Sequence, residues 1–113
     1  MKVRDFVERD YEGWLRLWEE YVRFYDACVE PAVTEHTWRR IVDSGSPLIG
    51  RVAERDGVPV GFTVSVLHEG TWTGRPILYL EDLFVDRAAR RGGIGRALVE
   101  DVVGQATTRG CSG

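Results

Sequence analysis

Residues 90 to 95 read Arg90-Arg91-Gly92-Gly93-Ile94-Gly95, and Arg96 follows. A run of strand formers, Ile77 to Val85, precedes them, and an amphipathic segment follows at once. Glycines let the main chain approach an anion without Cβ obstruction. The unpaired N–H groups and dipole of a helix N-terminus add positive potential at the same point. The pattern predicts a main-chain cradle for a phosphate-bearing cofactor. The plainer alternative is a tight strand-to-helix connection, but three glycines flanked by Arg87, Arg90, Arg91 and Arg96 exceed what a turn requires.

Two better-known phosphate motifs do not fit. Counting a dinucleotide fingerprint from Gly93 and Gly95 puts Leu98 where the third glycine belongs, and no Gly-Lys-Ser/Thr of a P-loop is present.

The second chemical feature is the adjacent pair Glu81 and Asp82, inside the strand that leads to the loop. An alkylamine of pKa about 10 is protonated at neutral pH and must lose a proton before it can act as a nucleophile, so a carboxylate beside a reactive centre can serve as the acceptor. Strand alternation predicts that the two carboxylates point to opposite faces. Their plain structural reading is two charges solvating a strand end.

The elements that must position these groups follow from pattern. Lys2 to Glu8 is a weak strand, and Asp10 is a candidate cap for a helix whose stripe is Trp14, Leu17, Trp18, Tyr21 and Tyr25. The stripe reads as core, although Tyr21 to Tyr25, near the helix end, could line a substrate mouth. A second helix is predicted from about Thr34, as cap, to Asp43. Leu48 to Arg55 and Val58 to Leu67 form a hairpin about Asp56-Gly57, and Ile77 to Val85 pairs back onto it. Ile94, Ala97, Leu98, Val102 and Ala106 make the apolar side of the last helix, with Gly110 as its C-cap.

With 113 residues, 43% of them hydrophobic, the chain supports a single domain, residues 1 to 113. A net charge of −3 argues against nucleic acid as a partner. Cys28, Cys111, His36 and His68 have no metal-site spacing, so no metal is expected. No apolar run reaches bilayer length and no leader pattern opens the chain, which predicts a cytoplasmic protein without membrane attachment.

The loop resembles the coenzyme A motif of the Gcn5-related N-acetyltransferase (GNAT) superfamily, Gln/Arg-x-x-Gly-x-Gly/Ala, matched by Arg90, Gly93 and Gly95. Tyr79-Leu80-Glu81-Asp82-Leu83-Phe84-Val85, with Trp72-Thr73-Gly74 upstream and Arg109-Gly110-Cys111 downstream, is similar to the diamine (spermidine/spermine) acetyltransferase branch. The resemblance implies an α/β acyl-CoA N-acyltransferase fold with a mixed, mostly antiparallel sheet flanked by helices. It also implies acetyl-CoA as cofactor and a small cationic amine, such as a polyamine, as acceptor.

The resemblance further implies that residues Arg90, Arg91, Gly92, Gly93, Ile94, Gly95 and Arg96 hold the pyrophosphate. Leu83, Phe84 and Val85 would present backbone groups to the pantetheine arm, with an amide near Leu83 or Phe84 polarising the thioester carbonyl. Glu81 is the favoured base and Asp82 a cation anchor or structural acceptor. Glu19, Glu20, Asp26, Glu30 and Glu69 would form a negative rim.

The family fold continues past Gly110 with another strand, a helix, a hairpin and a tyrosine credited as the acid. The expectation is therefore a shortened chain whose uncovered Ile77 to Val85 edge self-associates, as a homodimer or otherwise. The rival reading is a non-catalytic module that still binds coenzyme A.

Overall fold

The computed structural model describes all 113 residues. Four strands, β1 (Lys2–Asp5), β2 (Leu48–Arg55), β3 (Val58–His68) and β4 (Ile77–Val85), lie in the order β1-β2-β3-β4. Every neighbouring pair is antiparallel, so the expected mixed sheet is purely antiparallel within these strands. At the chain end, Ser112 N–H donates to Pro76 O and Leu78 N–H donates to Gly113 O, at 2.9 and 2.8 Å, beside the start of β4.

Asp56 and Gly57 both adopt positive φ, 53° and 78°, as the two-residue turn predicted between β2 and β3 requires. Pro59 enters β3 opposite Glu54, beside a register shift between Ala53 and Glu54.

Helices α1 (Tyr11–Phe24) and α2 (Pro31–Val42) cover one face of the sheet, and α3 (Ile94–Thr108) covers the other. The α1 stripe sends Trp14, Leu17 and Trp18 into a core with Phe6, Trp38, Val52, Phe62 and Phe84. Ile94 and Leu98 of α3 pack on Ala53 and Ala89, and Val102 packs on Ile49 and Leu78. Burying side chains of this size contributes about 1.5–3 kcal/mol each.

Two expected caps are corrected. Asp10 precedes α1, yet its carboxylate caps no α1 amide. It accepts from Arg4 Nη1 and Nη2, at 2.8 and 3.0 Å, and from Val7 N–H at 2.8 Å, while Arg4 also pairs with Glu54. Helix α2 begins three residues before Thr34, with Pro31 in its first turn, where a missing N–H costs nothing. Thr34 is instead a buried acceptor for Trp18 Nε1 at 3.1 Å, joining α1 to α2.

Hydrogen bonds from Arg4 hold the Asp10 carboxyl below its ordinary 3.8, and the Val7 amide assists. Because the folded value is depressed, this stabilisation is complete above the ordinary carboxylate range and is lost as pH falls through it. Asp10→Asn is expected to cost about 2 kcal/mol at neutral pH. In urea titrations, its deficit should shrink as the pH falls below 3.8, whereas a constant deficit would contradict the ion-pair account.

Candidate active site

Glu81 is where β4 departs from regular alternation. Val64 pairs with Asp82 and Ser65 with Leu80, so Glu81 is left without a partner on β3. Upstream of it, Leu78 and Leu80 pack on the α3 side. Downstream, Phe84 joins the α1 core and Asp82 meets Tyr21 of α1. The strict alternation expected for the carboxylates is therefore corrected to a bulge. Glu81 is exposed at that bulge, and Asp82 is half-buried behind it.

The bulge also decides which backbone groups reach the outer edge of β4. Asp86 N–H donates to Val60 O at 2.7 Å, which puts Phe84 opposite Phe62 in a hydrogen-bonded pair. The main-chain groups of Leu83 and Val85 are then turned outward, and Val85 O accepts from Arg90 Nε at 3.1 Å. Of the two amides expected near the thioester, the Leu83 N–H is the one directed to the edge. The Phe84 amide is spent in the ladder, and its ring is buried in the core.

After β4, Asp86 accepts from Ala88 N–H at 3.1 Å and pairs with Arg16 Nη1 at 3.1 Å, starting a 3₁₀ turn over Arg87–Gly92. Gly93 follows in the left-handed region, φ 74°, and α3 starts at Ile94. No side chain caps this helix, and Ala97 N–H donates back to Gly93 O, so the amides of Ile94, Gly95 and Arg96 lack intrahelical acceptors. A Cβ at Gly95 would meet nothing nearer than Val85 Cγ2 at 3.8 Å. The fold itself therefore does not demand glycine there, and the bare surface is left for a ligand.

The arginines of the loop divide. Arg90 does not extend to the amides: besides its bond to Val85 O, its guanidinium lies 5.6 and 5.4 Å from the ring centroids of Phe24 and Phe84. Arg96 pairs with Glu100 at 3.0 Å on the exposed face of α3, and Gly92 lies against Arg55. Arg91 is exposed, while the Ile94 side chain is fully buried and anchors the helix start.

Two cavities meet at Arg90. One, of about 320 Å³, is lined by Tyr21, Phe24, Tyr25, Leu83, Val85 and Gly95, among others. The other, of about 310 Å³, joins Glu20, Arg23 and Arg87 to the Phe24–Phe84 slot. The expected negative rim is thus interrupted by arginines at Glu20, which also lies 3.9 Å from Arg16.

A sequence model described as the acetyltransferase (GNAT) family matches residues 8–113. The chain belongs to this family. It is an acetyl-CoA-dependent N-acetyltransferase, as the matched relatives and the fold together establish. A D-amino-acid N-acetyltransferase of Saccharomyces cerevisiae is 33% identical over 110 residues, covering 96% of this chain and 68% of the relative. A thialysine N-epsilon-acetyltransferase of Sus scrofa is 29% identical over 119 residues, covering 97% and 69%.

Among solved structures, the ribosomal-protein-alanine N-acetyltransferase of Brucella melitensis biovar Abortus 2308 superimposes with a TM-score of 0.81 at 20% identity, covering 98% of this chain and 74% of that one. This likeness shows the fold.

In the acetyltransferase, the bare amides before and within the first turn of α3 suit a phosphate group, and the apolar cavity beside Leu83 and Val85 suits an uncharged arm. Phe24 lies off the apolar stripe and is not singled out by the pattern, though it falls within the Tyr21 to Tyr25 stretch that could line a substrate mouth, and Tyr21 reads chiefly as core. Only the proximity of Tyr21 to the helix end hinted at more.

Gly95 and Gly104 both have room for a side chain within α3. Replacing either by Leu should preserve or raise thermal stability, since helical glycine costs about 1 kcal/mol. Only Gly95→Leu should weaken acetyl-CoA binding, by about tenfold or more in calorimetry. Equal affinities of the two variants would rule out close backbone approach at Gly95.

Proposed function

We propose that this acetyltransferase modifies a primary amine of a small, positively charged molecule such as a polyamine, with Glu81 as proton acceptor. The observation that carries the reading is the adjacent pair of carboxylates at the β4 bulge, one exposed and one half-buried, beside the cavity that runs to Gly95. Two neighbouring negative charges repel, and an ammonium group relieves that repulsion. The named activities of the yeast and porcine relatives, on D-amino acids and on thialysine, agree with an amine acceptor.

Bound acetyl-CoA supplies the acetyl group as a thioester. The amides of Ile94, Gly95 and Arg96 would hold its pyrophosphate, and the Leu83 N–H, turned outward by the ladder, would serve as a donor for the thioester carbonyl. A Glu81 carboxylate oxygen takes a proton from the acceptor ammonium. Exposure of Glu81 then gives that proton a direct route to solvent.

Glu81→Gln keeps the size of the side chain and removes the base. It should lower kcat for a diamine about a hundredfold or more at neutral pH, with acetyl-CoA affinity unchanged. Steady-state kinetics on 1,4-diaminobutane paired with calorimetry on acetyl-CoA make the comparison. An unchanged kcat and pH profile would remove Glu81 from the proton path.

A further inference from the structure

Tyr21 occupies a position that the apolar stripe of α1 assigns to core. Its ring lies 5.7 Å from Trp18, 5.9 Å from Phe62 and 5.8 Å from Phe84, centroid to centroid. The hydroxyl, however, leaves that packing and donates to Asp82 Oδ1 at 2.7 Å, tying α1 to β4 just past the bulge. The same side chain borders the cavity that holds Leu83, Val85 and Gly95. One residue therefore touches both the apolar cavity and Asp82.

Asp82 receives no other hydrogen bond from the protein, so Oδ2 remains open. Burial raises the Asp82 carboxyl above its ordinary value, the Tyr21 bond works in the opposite direction, and Glu81 adds a further upward push. Burial, followed by the bond to Asp82, lifts the Tyr21 phenol above its own ordinary value, so it stays a donor throughout the working range. The groups facing Asp82 are thus Tyr21 on α1, with Tyr25 beside it, and Glu81 on β4. On β3 it faces the uncharged Val64.

We propose that Tyr21 is a positioning residue: by occupying Asp82 Oδ1 it leaves Oδ2 to hold the acceptor's ammonium while Glu81 takes the proton. The assignment rests on the proposed amine acetyltransferase reading. It divides labour within the carboxylate pair. Asp82, half-buried and fixed from α1, orients the charge; Glu81, exposed at the bulge, exchanges protons with solvent.

Tyr21→Phe retains the ring packing and deletes the donor. Losing a hydrogen bond to a charged group is worth about a factor of ten. In the variant, Asp82 should titrate at higher pH by carboxyl NMR. The Kd for 1,4-diaminobutane, measured by calorimetry without turnover, should rise about tenfold at the acid end of the range. The sign follows from the bond: without Tyr21, Asp82 protonates earlier and loses the cation, and the two proteins converge at high pH. KM should follow Kd, with kcat changed less than about twofold.

An unmoved Asp82 titration, or diamine binding equal to wild type at every pH, would overturn the proposal and leave Tyr21 as core. A wild-type protein that binds the diamine through Asp82 but never acetylates it would instead defeat the amine acetyltransferase reading. The titration and binding results would still decide the Tyr21–Asp82 coupling.

Discussion

An extra residue in β4 constrains everything that lies beyond it. Without the bulge at Glu81, the period of two along the strand would keep Leu78, Leu80, Asp82 and Phe84 on one face. With it, the first two pack against α3 and the last two turn toward α1. The bulge therefore places Leu78 and Leu80 with α3 and brings Asp82 and Phe84 to α1. The same shift turns the main chain of Leu83 and Val85 to the outer edge. Bulges commonly re-aim side chains next to active sites, and this one re-aims a carboxylate and an amide together.

The loop depends on that edge. Phe84 is buried in the core, opposite Phe62 on β3 and with its ring 5.8 Å from that of Tyr21, and Asp86 and the 3₁₀ turn follow from that anchored end. Gly93 then supplies the left-handed residue that starts α3 without a side-chain cap. Ile94 and Leu98 pin the helix to the opposite face of the sheet. The amides at the start of α3 are thus held by buried apolar contacts rather than by polar partners, which leaves them free for a ligand. Buried Thr63 and Ser65, across from Leu83 and Leu80, have hydroxyls with no partner in the protein, so this stretch of sheet carries a polar burden beside the site.

What was legible in the sequence was local. The glycine pattern, the Asp56-Gly57 turn and the helical stripes each depend on near neighbours, and the corresponding elements are found. The bulge was not legible, because nothing in Leu80-Glu81-Asp82 departs from a strand pattern and the extra residue is defined only against β3. The roles of Asp10 and Thr34 escaped for a related reason: each type caps helices, but Arg4 and Trp18 compete for them from other elements. The placement of the Arg90 side chain was not legible either, because Val85 O and two aromatic rings from other elements hold it.

Backbone hydrogen exchange, followed residue by residue with and without acetyl-CoA, tests the bulge and the cradle together. In the free protein the Phe84 amide should exchange slowly, because it is bonded to β3, while those of Leu83, Ile94, Gly95 and Arg96 exchange fast. Acetyl-CoA should slow those four and leave Phe84 unchanged. A protected Leu83 beside an exposed Phe84, or slowing confined to amides outside this group, would contradict the account.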